Sequence, residues 1–297
     1  VSSRVGFEAS ACGKWILAGE HAVLRGSPAL VFPVKHFAMK FQHTPGEAPL
    51  RAEFVGSKAD ELNLVFWGLI ENALQKVGRT RADLTGVLTV ESTLPLGAGL
   101  GASAALCVGV GRFFSSLGWV GANGIYEFSR ELEGLFHGES SGVDIAVALE
   151  GRGLRFMRGG ERVPVQYKWW PKFYLSYSGE RGVTSDCVRR VGELRQRSHL
   201  LGDKIDQQMR EAVETAERAL QMDPDAGFTI LADALNMARD CFYQWGLCDG
   251  PLDQHMREIS KAGAFAVKPT GSGGGGYVLS LWQDDPPVDI KNKMIAL

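Results

Sequence analysis

The residues best placed to do chemistry form one glycine-rich run, Pro95-Leu96-Gly97-Ala98-Gly99-Leu100-Gly101-Ala102-Ser103-Ala104-Ala105. Glycine lets successive backbone N–H groups turn inward, so such a run can form a nest for an anion. The β-branched stretch Gly86 to Leu94 precedes it, and an apolar helical pattern from near Ala102 to Phe114 follows. A strand therefore hands the nest to a helix start, whose positive dipole end adds to the attraction. Ser103 brings a hydroxyl to that start, where a magnesium ion on the phosphates could find an oxygen ligand. Phosphate binding is the chemistry indicated, although a tight turn without a ligand would use the same glycines. The run is neither a G-x-x-x-x-G-K-[ST] loop nor a G-x-G-x-x-G dinucleotide fingerprint.

Glycine supplies 37 of the 297 residues, above the usual ~7%. Part of the excess gathers in that run, and part in a second cluster at Gly271 and Gly273 through Gly276. Hydrophobic residues make up 45% of the chain and charged residues 22%, with a formal net charge of -2. This is the composition of a folded globular protein and lacks the bulk basic signature of a nucleic-acid or membrane-surface binder. The five cysteines (Cys12, Cys107, Cys187, Cys241 and Cys248) include no C-x-x-C pair. An odd, scattered set argues against a disulfide framework or a zinc site, and suits a reducing compartment. With no basic-then-apolar leader and no long apolar span, a cytoplasmic protein is expected.

Several elements must position these loops. Lys14 to His21 reads as a strand breaking into a glycine-bearing turn, and Val31 to Phe41 as another strand. Asp60 to Val77 keeps apolar residues at three-four spacing, as a helix does. Asn123 to Phe136 is a second such helix, with Ile125, Phe128, Leu132 and Leu135 expected on its inner face. Short strand-like segments follow at 153–156, 162–167 and 173–177. Then come three helical patterns, Asp203 to Gln221, Gly227 to Trp245 and Leu252 to Ala262. Two strands, Phe265 to Lys268 and Tyr277 to Trp282, flank the second glycine cluster. This order predicts an α+β protein of two lobes, 1–165 and 166–297.

The run P-L-G-A-G-L-G-A-S-A-A resembles the P-x-G-x-G-L-G-S-S-A phosphate loop of the GHMP kinases. Two further segments resemble that superfamily in the right order. Residues 13–29, G-K-W-I-L-A-G-E-H-A-V-L-R-G-S-P-A, are similar to the first motif as mevalonate kinases write it. Residues 268–276, K-P-T-G-S-G-G-G-G, are similar to the third motif, K-x-T-G-A-G-G-G-G. The resemblance implies an N-terminal lobe like ribosomal protein S5 domain 2 and a ferredoxin-like C-terminal lobe, with the active site in the cleft between them. It implies ATP and Mg2+ as cofactors, with Pro95, Gly97, Ala98, Gly99, Leu100, Gly101, Ala102 and Ser103 around the nucleotide phosphates. It also suggests a homodimer.

By the same resemblance, His137 to Asp144 matches the H-G-x-P-S-G-x-D stretch of mevalonate kinases, which makes Asp144 the catalytic base and sets Lys14 beside it. A neighbouring ammonium favours the ionised carboxylate. Asp144 could instead cap the helix that follows. Glu133, eleven residues earlier, stands at the magnesium-binding position and would share the ion with Ser103. Glu20 and His21 would line the acceptor side, Arg155 would take an acceptor carboxylate, and Thr184 would arrive in a loop like R-S-T. Gly273 and Gly274 of the third motif would contact substrate.

Cys12, Ala102, Glu139 and Ile145 depart from the family's usual residues, and the departures cluster on the acceptor side. The function implied is phosphorylation of mevalonate. The alternatives are another acceptor, such as phosphomevalonate or a sugar, and a ligand-sensing protein that has lost catalysis.

Overall fold

A period-two burial pattern in one strand and a three-four pattern in one helix account for the first layer of the fold. The computed structural model describes residues 6–56, 59–95, 97, 99–137, 140–160 and 162–297. In chain order its strands and helices are β1 (Phe7–Ala18), β2 (Ala29–Pro49), β3 (Arg51–Val55), α1 (Ala59–Lys76), β4 (Thr85–Ser92), α2 (Ala102–Ser116), α3 (Ile125–His137) and α4 (Val143–Glu150). They continue with β5 (Leu154–Phe156), β6 (Arg162–Pro164), β7 (Lys172–Tyr177), α5 (Thr184–Arg197), α6 (His199–Leu220), α7 (Pro224–Gln244) and α8 (Gly250–Lys261). The last elements are β8 (Ala266–Thr270), β9 (Tyr277–Trp282), α9 (Val288–Lys291) and β10 (Ile295–Ala296). The fold is mixed α+β, and the chain forms two compact units, each drawn from separated segments.

The first unit comprises Val1–Lys14, Pro33–Leu96 and Leu100–Gly151. Here β2 pairs antiparallel with β4 from Met39 opposite Ser92 to Thr44 opposite Val87. On its other edge β4 pairs with β3 in parallel. Gly86, Leu88 and Val90 alternate into the core along β4, as expected of a strand with one face covered. Helix α1 buries Leu62, Phe66, Leu69, Ile70, Ala73 and Leu74, the stripe that the sequence spacing predicts. Helix α2 buries residues nearly all round, including Leu106, Val110 and Phe114. At Gly109 even one methyl group would collide with the Phe41 ring, at 2.0 Å.

Helix α3 corrects one expectation. Its inner face is not aligned on Leu135, which is 52% exposed; it is built from Ser129, Leu132 and Glu133, all nearly solvent-free. At 3.6 residues per turn, Ser129 and Glu133 are one turn apart on the same face, and Leu135 has rotated off it. A polar group thus occupies the buried stripe, where apolar periodicity alone could not place it.

The second unit comprises Trp15–Phe32, Gly97–Gly99 and Arg152–Leu297. Its antiparallel sheet runs in the order β10-β7-β9-β8. Leu252, Met256 and Ile259 of α8 pack with Val267, Val278 and Trp282 of this sheet in one apolar cluster. The first residues of β2, Ala29 to Val31, pair with β5, which pairs in turn with β6. Every residue of β8 is buried, Lys268 and Thr270 included. Thr270 Oγ1 donates to Ile16 O at 3.0 Å and accepts from Ile16 N at 2.8 Å, tying the end of β1 to β8. Helix α5 has no counterpart among the sequence patterns, because only Cys187 and Val191 of its 14 residues are buried. Among the described residues, no helix is long and apolar enough to cross a membrane.

Candidate active site

The glycine run joins β4 to α2 as the sequence predicts. Gly97, Gly99 and Gly101 all adopt left-handed backbone, with φ of 72°, 84° and 78°, a region that side chains disfavour. Gly101 is the N-cap of α2, so the first N–H groups of the helix open toward the loop. Leu100 and Ala102 are buried, and Ser103 on the first turn is half-buried. Ala98 lies outside the described residues, as does Glu139. Lys14 N donates to Leu100 O at 2.9 Å, which fixes β1 against the loop. That approach needs Gly13: a methyl group there would lie 2.9 Å from Leu100 O and 2.4 Å from the Leu94 side chain.

Two carboxylates of the first unit, Asp144 and Glu133, act electrostatically on one another and on Lys14. Its Nζ stands 3.2 Å from Asp144 Oδ2, with the side chains 6% and 24% exposed. Asp144 sits in the first turn of α4 but is not its cap; that place belongs to Gly142, at φ 81°. The Asp144 carboxylate is therefore spent on Lys14 and not on the helix terminus.

Glu133 is almost wholly buried. Burial, reinforced by the negative charge of Asp144, pushes its pKa up to about 8, while a hydrogen bond from Ser140 and the charge of Lys14 pull the other way. Ser140 Oγ donates to Glu133 Oε2 and accepts from Gly142 N at 3.1 Å. Ser140 went unnoticed in the sequence, although it occupies the proline position of the H-G-x-P-S-G-x-D pattern, where a departure signals a new contact.

The magnesium candidates Ser103 and Glu133 lie on neighbouring helices. Ser129 Oγ donates to Cys107 O at 3.3 Å, and a methyl group at Gly111 would meet Ile125 at 3.3 Å. This register is antiparallel, so Ser103 and Glu133, each one turn beyond the Cys107–Ser129 contact, belong to the same end of the pair. Among the described residues there is no group of three or more His, Cys, Asp or Glu that could hold a metal. Any cation here would therefore rely on a carboxylate, a hydroxyl and ligand oxygens. That donor set suits magnesium.

In the second unit, Ser272 of the third glycine motif is the meeting point. His21 donates through Nε2 to Ser272 O at 2.8 Å, and Thr184 Oγ1 donates to Ser272 Oγ at 3.4 Å. His21 has a φ of 55°, unusual for a residue with a side chain, and its ring packs edge-on to Trp245 with centroids 5.1 Å apart. Burial lowers its pKa to about 4, so the ring is neutral near pH 7. Gly273 and Gly274 have φ of 77° and 66°, and Cys187 Sγ donates to Gly273 O at 3.2 Å. Glu20 is buried against Lys268. Arg155 donates through Nε to Glu217 Oε2 at 3.1 Å and through Nη1 to Met157 Sδ at 3.6 Å.

Sequence comparison agrees with this architecture. The GHMP kinases N terminal domain family matches residues 64–152. A protein named mevalonate kinase from Pyrococcus horikoshii is 28% identical, over 92% of this chain and 88% of its own length. Another, from Archaeoglobus fulgidus, is 27% identical over 94% and 93%. The crystal structure of L. major mevalonate kinase in complex with R-mevalonate superposes with a TM-score of 0.77 at 21% identity. That superposition covers 99% of this chain and 91% of the other, so the two share a fold.

Proposed function

We propose that this member of the GHMP kinase superfamily is an ATP-dependent kinase that transfers the γ-phosphoryl group to the primary hydroxyl of mevalonate. The observation that carries the reading is the 3.2 Å contact between Lys14 and Asp144, in the same unit as the glycine-lined start of α2. Proteins named mevalonate kinase that align with nearly the whole chain support the choice of acceptor.

The chemistry follows from what each group can do. Backbone N–H groups of the 95–103 loop hold phosphate oxygens, and the α2 dipole favours their charge. Asp144 takes the proton of the acceptor hydroxyl as its oxygen forms a bond to the γ-phosphorus. The bond from that phosphorus to the β,γ-bridging oxygen breaks, and its electron pair leaves with ADP. Lys14 holds the Asp144 carboxylate in place through their 3.2 Å contact and faces the transferred group with its positive charge. Ser103 and Glu133 would hold magnesium, which when bound neutralises phosphate charge. His21, Thr184, Gly273 and Gly274 shape the acceptor side, and Arg155 receives the mevalonate carboxylate. A cytoplasmic enzyme that assembles as a homodimer completes the reading.

Coupled ADP release tests it, with mevalonate offered beside phosphomevalonate, galactose and homoserine. Turnover on mevalonate, falling by roughly 10²–10⁴ in Asp144→Asn while ATP still binds, is the expected result. Turnover confined to another compound overturns the acceptor, and unchanged activity in Asp144→Asn overturns the base.

A further inference from the structure

The turn that carries Glu20 and His21 leaves β1 at Ala18 and enters β2 at Ala29. Within it His21 has a φ of 55°, a backbone conformation that persists only where neighbouring groups hold it. Glu20 ties the start of the turn to Lys268. One face of α6 holds the rest. Met209 Sδ accepts from Gly19 N at 3.2 Å, and Arg210 Nη2 donates to Ser27 Oγ at 3.4 Å. Between them, Asp206 takes the fork of Arg25 on both of its carboxylate oxygens. Positions 206, 209 and 210 are three and four apart, so they form one surface of the helix.

Asp206 has a second partner. Its Oδ2, which accepts from Arg25 Nε, also accepts from Arg195 Nη1 at 2.9 Å. The side chains of Asp206, Arg25 and Arg195 are 14%, 26% and 20% exposed, largely withdrawn from the solvent that would screen them. Two guanidinium groups thus share one carboxylate, and without it they would face each other as like charges. Aspartate inside a helix gives up helix propensity, and Asp206 stands far from either end of α6. The two arginines account for its place.

Each arginine belongs to an element that reaches Ser272. Arg25 ends the helical turn that follows His21, and His21 Nε2 donates to Ser272 O. Arg195 stands on α5, whose first residue, Thr184, donates to Ser272 Oγ and whose Cys187 donates to Gly273 O. Asp206 therefore closes a ring that runs from the His21 turn through the third glycine motif to α5 and back.

We propose that Asp206 is a positioning residue for the acceptor side, fixing the His21 turn and α5 at the spacing that brings His21 and Thr184 to Ser272 together. The inference rests on the kinase reading and deepens it. Asp206 touches no reacting atom and acts on acceptor binding through Arg25 and Arg195. Lys14 and Asp144 belong to the other unit. Loss of Asp206 should therefore spare phosphoryl transfer once the acceptor is seated.

Steady-state kinetics of Asp206→Ala, Arg25→Ala, Arg195→Ala and the double variant of both arginines test this. Each should raise the mevalonate KM by roughly fivefold or more, with kcat and the ATP dissociation constant changed less than about threefold. Because both arginines act through one carboxylate, the double variant should raise KM by less than the product of the two single effects. Arg25→Lys keeps the charge and loses the fork, so it should raise KM while melting as wild type does. A KM within about twofold of wild type in Asp206→Ala overturns the proposal. So do single effects that multiply, or kcat and ATP affinity that fall in step with KM. If Asp206→Ala does not fold, Arg25→Lys decides, and an unchanged KM there overturns the proposal.

Hydrogen exchange gives a readout that needs no turnover. In Asp206→Ala or Arg25→Lys, amides of residues 19–27 and of α5 should lose protection together; loss in one segment alone, or in neither, overturns the ring. If wild type turns over galactose and not mevalonate, the acceptor assignment fails. The same KM comparison on galactose, with the exchange readout, still decides Asp206.

Discussion

Lys268 Nζ stands 2.5 Å from Glu20 Oε1, and both side chains are removed from solvent. The lysine also donates to Pro269 O, and its ammonium lies 5.4 Å from the centre of the Phe242 ring. First and third motifs, 248 residues apart in sequence, are thus joined by a buried ion pair. The first motif alone suggests a substrate-side Glu20. In the fold, the charge of Glu20 is committed to holding the turn that carries His21.

Lys268→Met should cost about 3–5 kcal/mol, because it leaves a buried carboxylate without its cation. Replacing both partners, as in Lys268→Met with Glu20→Leu, should recover much of that loss, since neither charge then remains buried. Urea unfolding of the two variants checks this. A double variant no more stable than the single would mean that the pair acts through packing alone.

His21 makes stability fall in acid. Its folded pKa is about 4, below the ordinary 6.5, so between those values the unfolded chain binds the extra proton. Stability from this group is full above pH 6.5 and drains away as pH falls through 4. His21→Gln should flatten the melting temperature between pH 6.5 and 4.5 relative to wild type. Equal slopes in the two proteins would remove His21 as the cause.

Much of the site was legible because glycine announces itself locally. Loops that need left-handed backbone at 97, 99, 101, 273 and 274 must be written with glycine, and Lys14, Asp144 and Glu133 were pointed to by the resemblance of the motifs around them. What could not be read was tertiary. Ser140 reaches Glu133 across seven residues, and Arg181 lies on Gly97 only after the chain has folded back. Helix α5 carries its burial on Cys187 and Val191, too sparse a stripe for periodicity to find, and α3 turns inward on a glutamate. Apolar patterning finds cores; it has no signal for a buried polar group whose partner is elsewhere in the chain.

Glu133 should trade stability against function. Its pKa of about 8 means that the folded chain holds a carboxyl that burial and Asp144 discourage from ionising. Glu133→Gln keeps an acceptor for Ser140 and removes a group that must take up a proton when the chain folds near pH 7, so it should raise stability, by about 1 kcal/mol. On the proposed function it should also cut turnover by at least tenfold and weaken the response to magnesium. Thermal melts and magnesium titrations of activity measure both. A variant that is stabilised and fully active would show that Glu133 has no part in the reaction.

Arg155 poses the sharper question of whether an ion pair is structural or poised for ligand. Its bond to Glu217 is 3.1 Å long, with both side chains more than a quarter exposed, and such a pair contributes roughly 1 kcal/mol or less. If the pair were only structural, Arg155→Ala and Glu217→Ala would have the same small effect on stability and none on kinetics. If the outer edge of the guanidinium receives an acceptor carboxylate, the two variants should separate. Arg155→Ala should then raise the mevalonate KM by about tenfold or more, as loss of a charged hydrogen bond does, with kcat and ATP affinity little changed. Glu217→Ala leaves the guanidinium in place and should move KM less than about threefold. Steady-state kinetics of both variants decide the matter. Matching KM values would return Arg155 to the surface network, and a loss confined to ATP would move it to the nucleotide side.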